Sequence, residues 1–188
     1  MQQRYRKIFW GLLVVIFNIN IGPINILPDF IGYFMISFAI SDIINEFDNK
    51  EFRRAKKIAN ILALYSLILS FADIIGGALD SSYNDIVSIG LAILISSAVL
   101  VMSFNIFSGT IELYLSREMN EYYELTVKTQ RNYTKSNLVG IFLMTVSINI
   151  FDEYYTAIAA VYIIATQIYF AAIINRIKKS FNEDLIEP

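Results

Sequence analysis

Apolar residues in this chain come in six blocks separated by short polar stretches, at residues 8–21, 30–44, 58–76, 86–107, 137–151 and 155–174. Blocks of this length predict helices, and the fold class they imply is all-α. A helix perpendicular to a bilayer needs about 20 residues to cross its hydrocarbon core. The first, second and fifth blocks are short by that measure, and must recruit flanking residues, thin the bilayer or stop before crossing. The pattern predicts a single integral membrane domain over residues 1–188, with six transmembrane helices in three hairpins.

Charge then orients the hairpins. All fifteen Lys and Arg fall in four places: the N-terminus (Arg4, Arg6, Lys7), the connection after the second block (Lys50 to Lys57), residues 117–135, and the C-terminus (Arg176, Lys178, Lys179). Positive charge marks the cytoplasmic side, so both termini are expected inside. The connections expected outside carry only acids: Asp29, Asp80 and Asp85, then Asp152 and Glu153. Tyr83, Tyr154 and Tyr155 fall at the outer interface, and Tyr5, Trp10, Tyr114 and Tyr133 at the inner one. The charge rule places Lys7 and Lys50 on one side without fixing what lies between them. A full hairpin and a re-entrant pair of half-helices both satisfy it, and the hairpin is the expectation, since irregular backbone at depth needs cover from protein or water. No small-residue cleavage site follows the first block, so it is expected in the mature chain.

Composition removes whole classes of chemistry. The chain is 56% hydrophobic and 17% charged, with a mean hydropathy of +0.52, as befits a multi-pass protein of the cell membrane whose first partner is the lipid bilayer. A net charge of −2 leaves no basic face for nucleic acid. Cysteine and histidine are both absent, which removes disulfides, thiolate chemistry, the commonest metal ligand and the commonest general base. There is no phosphate-binding glycine loop. The expectation is a protein that is not an enzyme, with no catalytic residue, metal site or cofactor.

The stretch NINIGPINILPDFIGY (residues 18–33) is the most polar point between two apolar blocks. Turn chemistry accounts for part of it: Gly22 suits a left-handed helix cap, Pro23 a stop, and Pro28 a helix start. Asp29 then falls at the positive end of the second helix's dipole, and Gly32 suits a close helix approach. Asn18, Asn20 and Asn25 are left over, and an unpaired amide in hydrocarbon costs several kcal/mol. Similar endings recur in FNINIG (17–22), FADIIG (71–76) and SINIFD (147–152), which puts Asn20, Asp73 and Asn149 near one depth. Convergence of these three, with Asn18, Asn25 and Asp29 at the rim, would form an outward-facing polar pocket. Asp73 is the sharpest single candidate, because an ionisable residue within a span is a functional candidate by default. Asp42, Glu46, Asp48 and Glu51 read as solvated helix ends. Ser37 with Ser41, Ser66 with Ser70, and Ala92 with Ser96 have the spacing of helix contacts.

The longest polar piece, residues 108–136, places Ile111, Leu115, Met119, Tyr122 and Leu125 at helical spacing, with acids elsewhere on the same helix. It predicts a cytoplasmic amphipathic helix, lying on the inner leaflet or continuing the fourth span. Glu118, Glu121, Tyr122 and Glu124 are its candidate contacts for another protein.

Residues 19–33 resemble the first hairpin of small, uncharacterised bacterial integral membrane proteins, which reads approximately D-I-N-I-G-x-x-D-I-L-P-D-F-I-G-Y. This chain has Asn18 and Asn25 where that pattern has Asp. The resemblance implies the topology and a bacterial cytoplasmic membrane, and carries no activity. In layout alone, six helices with both termini inside also resemble the substrate-binding subunits of vitamin importers. The expected function is a partner-binding membrane component in transport or envelope maintenance. The alternative is a carrier of a small solute or ion, with its site in the outer Asn/Asp cluster.

Overall fold

The computed structural model describes the backbone of residues 1–17, 20–21, 24–25, 29–75, 85–150 and 153–183, and the side chains of 1–17, 29–71, 89–147 and 154–181. Among these residues the chain forms six helices: α1 (Gln2–Ile16), α2 (Asp29–Ile44), α3 (Lys50–Ile75), α4 (Asp85–Ser116), α5 (Asn120–Ile150) and α6 (Glu153–Glu183). A two-residue antiparallel ladder, β1 (Asn20–Ile21) with β2 (Ile24–Asn25), joins α1 to α2. Each helix packs on its neighbours in sequence, and α6 closes back on α1 to complete a ring.

Two stretches among the described residues, Ile89–Ser116 and Tyr154–Phe181, are long and apolar enough to cross a membrane. Only 39% of the apolar window of each is buried, whereas the core helix of a soluble protein is mostly enclosed. Large apolar side chains instead face outward around the ring, among them Trp10, Phe38, Ile61, Leu94, Phe142 and Ile158. α1 and α2, with 15 and 16 residues, fall short of a bilayer crossing at about 1.5 Å per residue.

Three helix ends depart from, or add to, the sequence expectation. α1 stops at Ile16, where the Phe17 N–H closes on the Leu13 carbonyl at 2.9 Å; the cap and stop read at Gly22 and Pro23 lie outside the described residues. Asn20 and Ile21 leave the helix for the ladder, because an Asn-rich run competes with helical hydrogen bonding near a free end. α3 is capped by Asn49, whose Oδ1 accepts from the Glu51 N–H at 2.7 Å and the Phe52 N–H at 3.2 Å. Asn49 also donates its amide to Glu112 of α4, so one buried residue starts one helix and grips another.

The single amphipathic helix expected over 108–136 is two helices. α4 ends in a turn in which Glu118 takes a φ of 58°, the Glu118 N–H reaches the Leu115 carbonyl at 3.2 Å, and the Met119 N–H reaches the Tyr114 carbonyl at 3.0 Å. This is a Schellman closure with glutamate at the position glycine usually takes. Met119 and Tyr114 are both buried beneath it, which supplies the apolar contact such closures carry. The turn rotates the predicted stripe apart, so Leu115 and Leu125 are exposed while Met119 is enclosed.

Packing is uneven along the ring. The largest fully buried side chains (Tyr5, Tyr114, Tyr133, Phe52, Phe107 and Phe170) all lie in the half that carries the Lys and Arg residues. There Phe181 stacks between Tyr5 and Tyr114, at ring distances of 5.3 and 5.2 Å. Phe107, Tyr133 and Phe170 form a second aromatic group at 5.1 to 5.6 Å. Where α1 crosses α2, Gly11 and Gly32 face each other: a Cβ built on Gly32 meets the Gly11 carbonyl oxygen at 2.5 Å.

Candidate functional site

The outer polar cluster is only partly placed. Asn18 lies outside the described residues, as do the side chains of Asn20, Asn25, Asp73 and Asn149. Their backbones show Asn20 directly opposite Asn25 in the ladder, Asp73 in the last turn of α3, and Asn149 in the last turn of α5. Asp29 opens α2 as its first residue, and its Oδ1 is buried with no hydrogen-bond partner among the described residues. The structure therefore pairs Asn20 with Asn25 and leaves the wider convergence undescribed.

At the opposite end the geometry is complete. Glu46, just beyond α2, accepts from Arg4 of α1 and from Arg117 Nη2 at the α4 end, the latter at 2.8 Å. Lys7 donates to Asp42 at 2.7 Å, a second tie between α1 and α2. The Arg117 guanidinium also sits over the Phe181 ring, 5.6 Å from its centre. One carboxylate thus joins three chain segments above the aromatic stack, beside a cleft of about 610 Å³ lined in part by Gln2, Gln3 and Asn45. Asp48 is a solvated end paired with exposed Arg53, whereas Glu51, paired with exposed Arg54, is only 19% exposed itself. Glu46 is exposed as well but draws two arginines, and nothing local in the sequence marks it for that, since its partners lie 42 and 71 positions away.

The hydrogen bond from Arg4 holds the Glu46 carboxyl below its usual 4.5 against the opposing desolvation, with the Arg4, N-terminal and Arg117 charges adding to the lowering. A depressed folded value means that the cluster adds stability above the unfolded pKa, and that this is lost as pH falls through the folded one. Melting of the wild type against Glu46→Gln is expected to differ at neutral pH and to converge as pH falls through the depressed Glu46 value. A constant difference across that range would remove Glu46 ionisation as the cause. The effect is small, because the side chain is 43% exposed and solvent screens the pairs.

The candidate partner contacts divide. Glu118, Glu121 and Glu124 are exposed at the α4/α5 tip. Tyr122 is half-buried, and its ring lies 5.9 Å from that of Tyr114, so it packs the tip onto the core. The tip is therefore a supported acidic surface with Leu115, Leu125 and Val127 exposed nearby.

The small-residue pairs are helix contacts at two of their positions. Ser37 Oγ donates to Asn60 Oδ1 at 2.6 Å, and Lys56 Nζ donates to Ser41 Oγ at 2.9 Å, both across α2 and α3. Deeper in the ring, Asn137 donates to the Tyr133 hydroxyl at 3.2 Å, which donates to Ser103 at 3.3 Å. Among the described residues no group of three or more acids could hold a metal ion.

No protein-family model matches this sequence, and no curated protein or solved structure matches it either.

Proposed function

We propose that this chain is a multi-pass protein of the cytoplasmic membrane, with both termini inside, that does no chemistry of its own and serves as the membrane component of a larger assembly in transport or envelope maintenance. The observation that carries this reading is the α4/α5 tip. Three exposed glutamates and three exposed apolar side chains stand on a turn braced from below by Met119, Tyr122 and the Arg117–Glu46 contact. Glutamate at a left-handed position that favours glycine is a local expense in stability, as found where a side chain serves binding. A basic, partly apolar protein surface is the matching partner.

Depth follows from the ion pairs. From Lys7 to Ile16 α1 rises about 14 Å, and from Asp42 back to Asp29 α2 spans about 20 Å. A hydrocarbon core is about 30 Å thick, so this pair enters from the cytoplasmic side and turns back, while α3 to α6 cross. The gathering of every Lys and Arg at one end supports the orientation.

The chain has no cysteine, so single replacements report cleanly. With a membrane-impermeant maleimide, Glu121→Cys is expected to label only from the cytoplasmic face, Ser81→Cys only from outside, and Asn25→Cys from neither. Labelling of Asn25→Cys from outside would make α1 and α2 full crossings. Cross-linking from Asn120→Cys, exposed beside them, should give one discrete adduct in native membranes, lost when Glu121 and Glu124 are both changed to Lys. Absence of any adduct with the topology intact would sink the subunit reading.

Asp29 favours a second reading, a carrier of a small solute or ion. Its buried Oδ1 has no hydrogen-bond partner among the described residues, which is a reason to ask for a ligand at the start of α2. For a carrier, Asp73→Asn should impair function while the Glu121→Lys/Glu124→Lys chain keeps it; the subunit reading requires the reverse.

A further inference from the structure

A second cleft, of about 380 Å³, opens between α2 and α3 and is lined by Ile44, Arg53, Lys56, Lys57 and Asn60, three cations without an acid. Arg53 spends part of its charge on Asp48, 2.9 Å away in an exposed pair. Lys56 donates to a neutral hydroxyl, Ser41 Oγ, at 2.9 Å, and makes no ion pair with an acid among the described residues. Asn60 accepts from Ser37 through Oδ1, which leaves its amide nitrogen as a donor at the cleft. Lys57 is exposed and makes no hydrogen bond or ion pair with the described residues.

The cleft heads an apolar track. Counting outward along α3, Lys57 is followed at helical spacing by Ile61, Leu64, Ile68 and Phe71, which are 56%, 54%, 66% and 55% exposed. Lys57 to Phe71 spans about 21 Å, more than the ~15 Å half-thickness of a hydrocarbon core. A cationic, donor-rich head above a continuous apolar stripe of this length matches a phosphate-bearing headgroup above acyl chains, at the leaflet facing the Lys and Arg end.

We infer that this α2/α3 cleft is a binding site for an anionic phospholipid of the inner leaflet, with Lys56, Lys57, Arg53 and Asn60 holding the phosphate and the Ile61 to Phe71 stripe holding a chain. The inference rests on the membrane reading above. It adds a selectivity that an ordinary lipid-facing helix lacks, because a zwitterionic headgroup brings its own cation into the same space.

Native mass spectrometry of the detergent-solubilised full chain tests it, with phosphatidylglycerol and phosphatidylcholine of identical acyl chains. Retention of phosphatidylglycerol over phosphatidylcholine is expected. Lys56→Gln/Lys57→Gln should weaken it about thirty-fold and Lys57→Gln alone about five-fold, the loss of two and of one near-surface charges. Lys57→Gln breaks no hydrogen bond or ion pair among the described residues, so its result stands even if the double variant fails to assemble. As a control, Lys128→Gln/Arg131→Gln removes two exposed cations of α5 and should change retention less than two-fold. Equal weakening by the control, or equal retention of both lipids, would overturn the site while leaving the membrane reading in place. Full competition by millimolar inorganic phosphate would make it a free-anion site and overturn the lipid assignment. A chain that stays dispersed without detergent and retains neither lipid would overturn the membrane reading itself.

Discussion

Gly32→Ala is expected to loosen the α1/α2 crossing and lower stability by about 3 kcal/mol, at the upper end of the overpacking range. The new methyl would lie 2.5 Å from the Gly11 carbonyl oxygen and 2.6 Å from Val15 Cγ2. A side-chain obstacle can rotate away, but a helical carbonyl cannot, so the two helices must separate. That separation strips contacts from Leu12, Tyr33 and Ile36, all buried along this pair. Gly11→Ala should behave alike, since its Cβ meets the Gly32 oxygen and Ile36 Cγ1, both at 2.8 Å. Gly90→Ala is the contrast: among the described residues nothing beyond its own helix lies within 4 Å of its Cβ, and removing a flexible glycine from a helix interior should raise stability by about 0.5–1 kcal/mol. Melting of the three variants in one detergent checks this. Equal effects at Gly32 and Gly90 would show that the crossing is not the tight contact described.

Phe181→Ala is expected to be the most damaging single change near either end of the chain, costing about 3–5 kcal/mol. The ring is 3% exposed, stacks on Tyr5 and Tyr114, and lies under the Arg117 guanidinium. Its loss leaves a cavity between α1, α4 and α6, and Tyr5 and Tyr114 cannot both collapse into it while bonded to Thr110 and Ser180, each at 2.7 Å. Glu46→Gln in the same background should add less than it does alone, because Arg117 would already have lost its floor. The double-mutant cycle measures this, and strict additivity would separate the aromatic stack from the ion cluster.

Several features were legible along the chain. Helix number and class follow from block length, because a run of apolar residues that long has few other ways to satisfy its backbone. The opening of α2 at Asp29 and the contacts of Ser37 and Ser41 follow from local chemistry, since dipole and side-chain size act within a turn or two. The reading of 108–136 as one helix failed at Glu118, because a glutamate in the left-handed region carries no sequence mark that distinguishes it from a helical glutamate. Glu46 is exposed, as a solvated end should be, but its neighbours in sequence say nothing of the pairs it makes with Arg4 and Arg117.

Periodicity, length and the sorting of charge along the chain are one-dimensional properties, and they suffice to establish the all-α class, the apolar blocks and the gathering of Lys and Arg in four places. Which charge meets which, which glycine faces a backbone, and where the bundle is solid depend on distances between residues far apart in the chain. Closure of α6 onto α1 sets those distances. It brings Tyr5, Tyr114 and Phe181 into one stack, and it places Glu46 over that stack between two arginines.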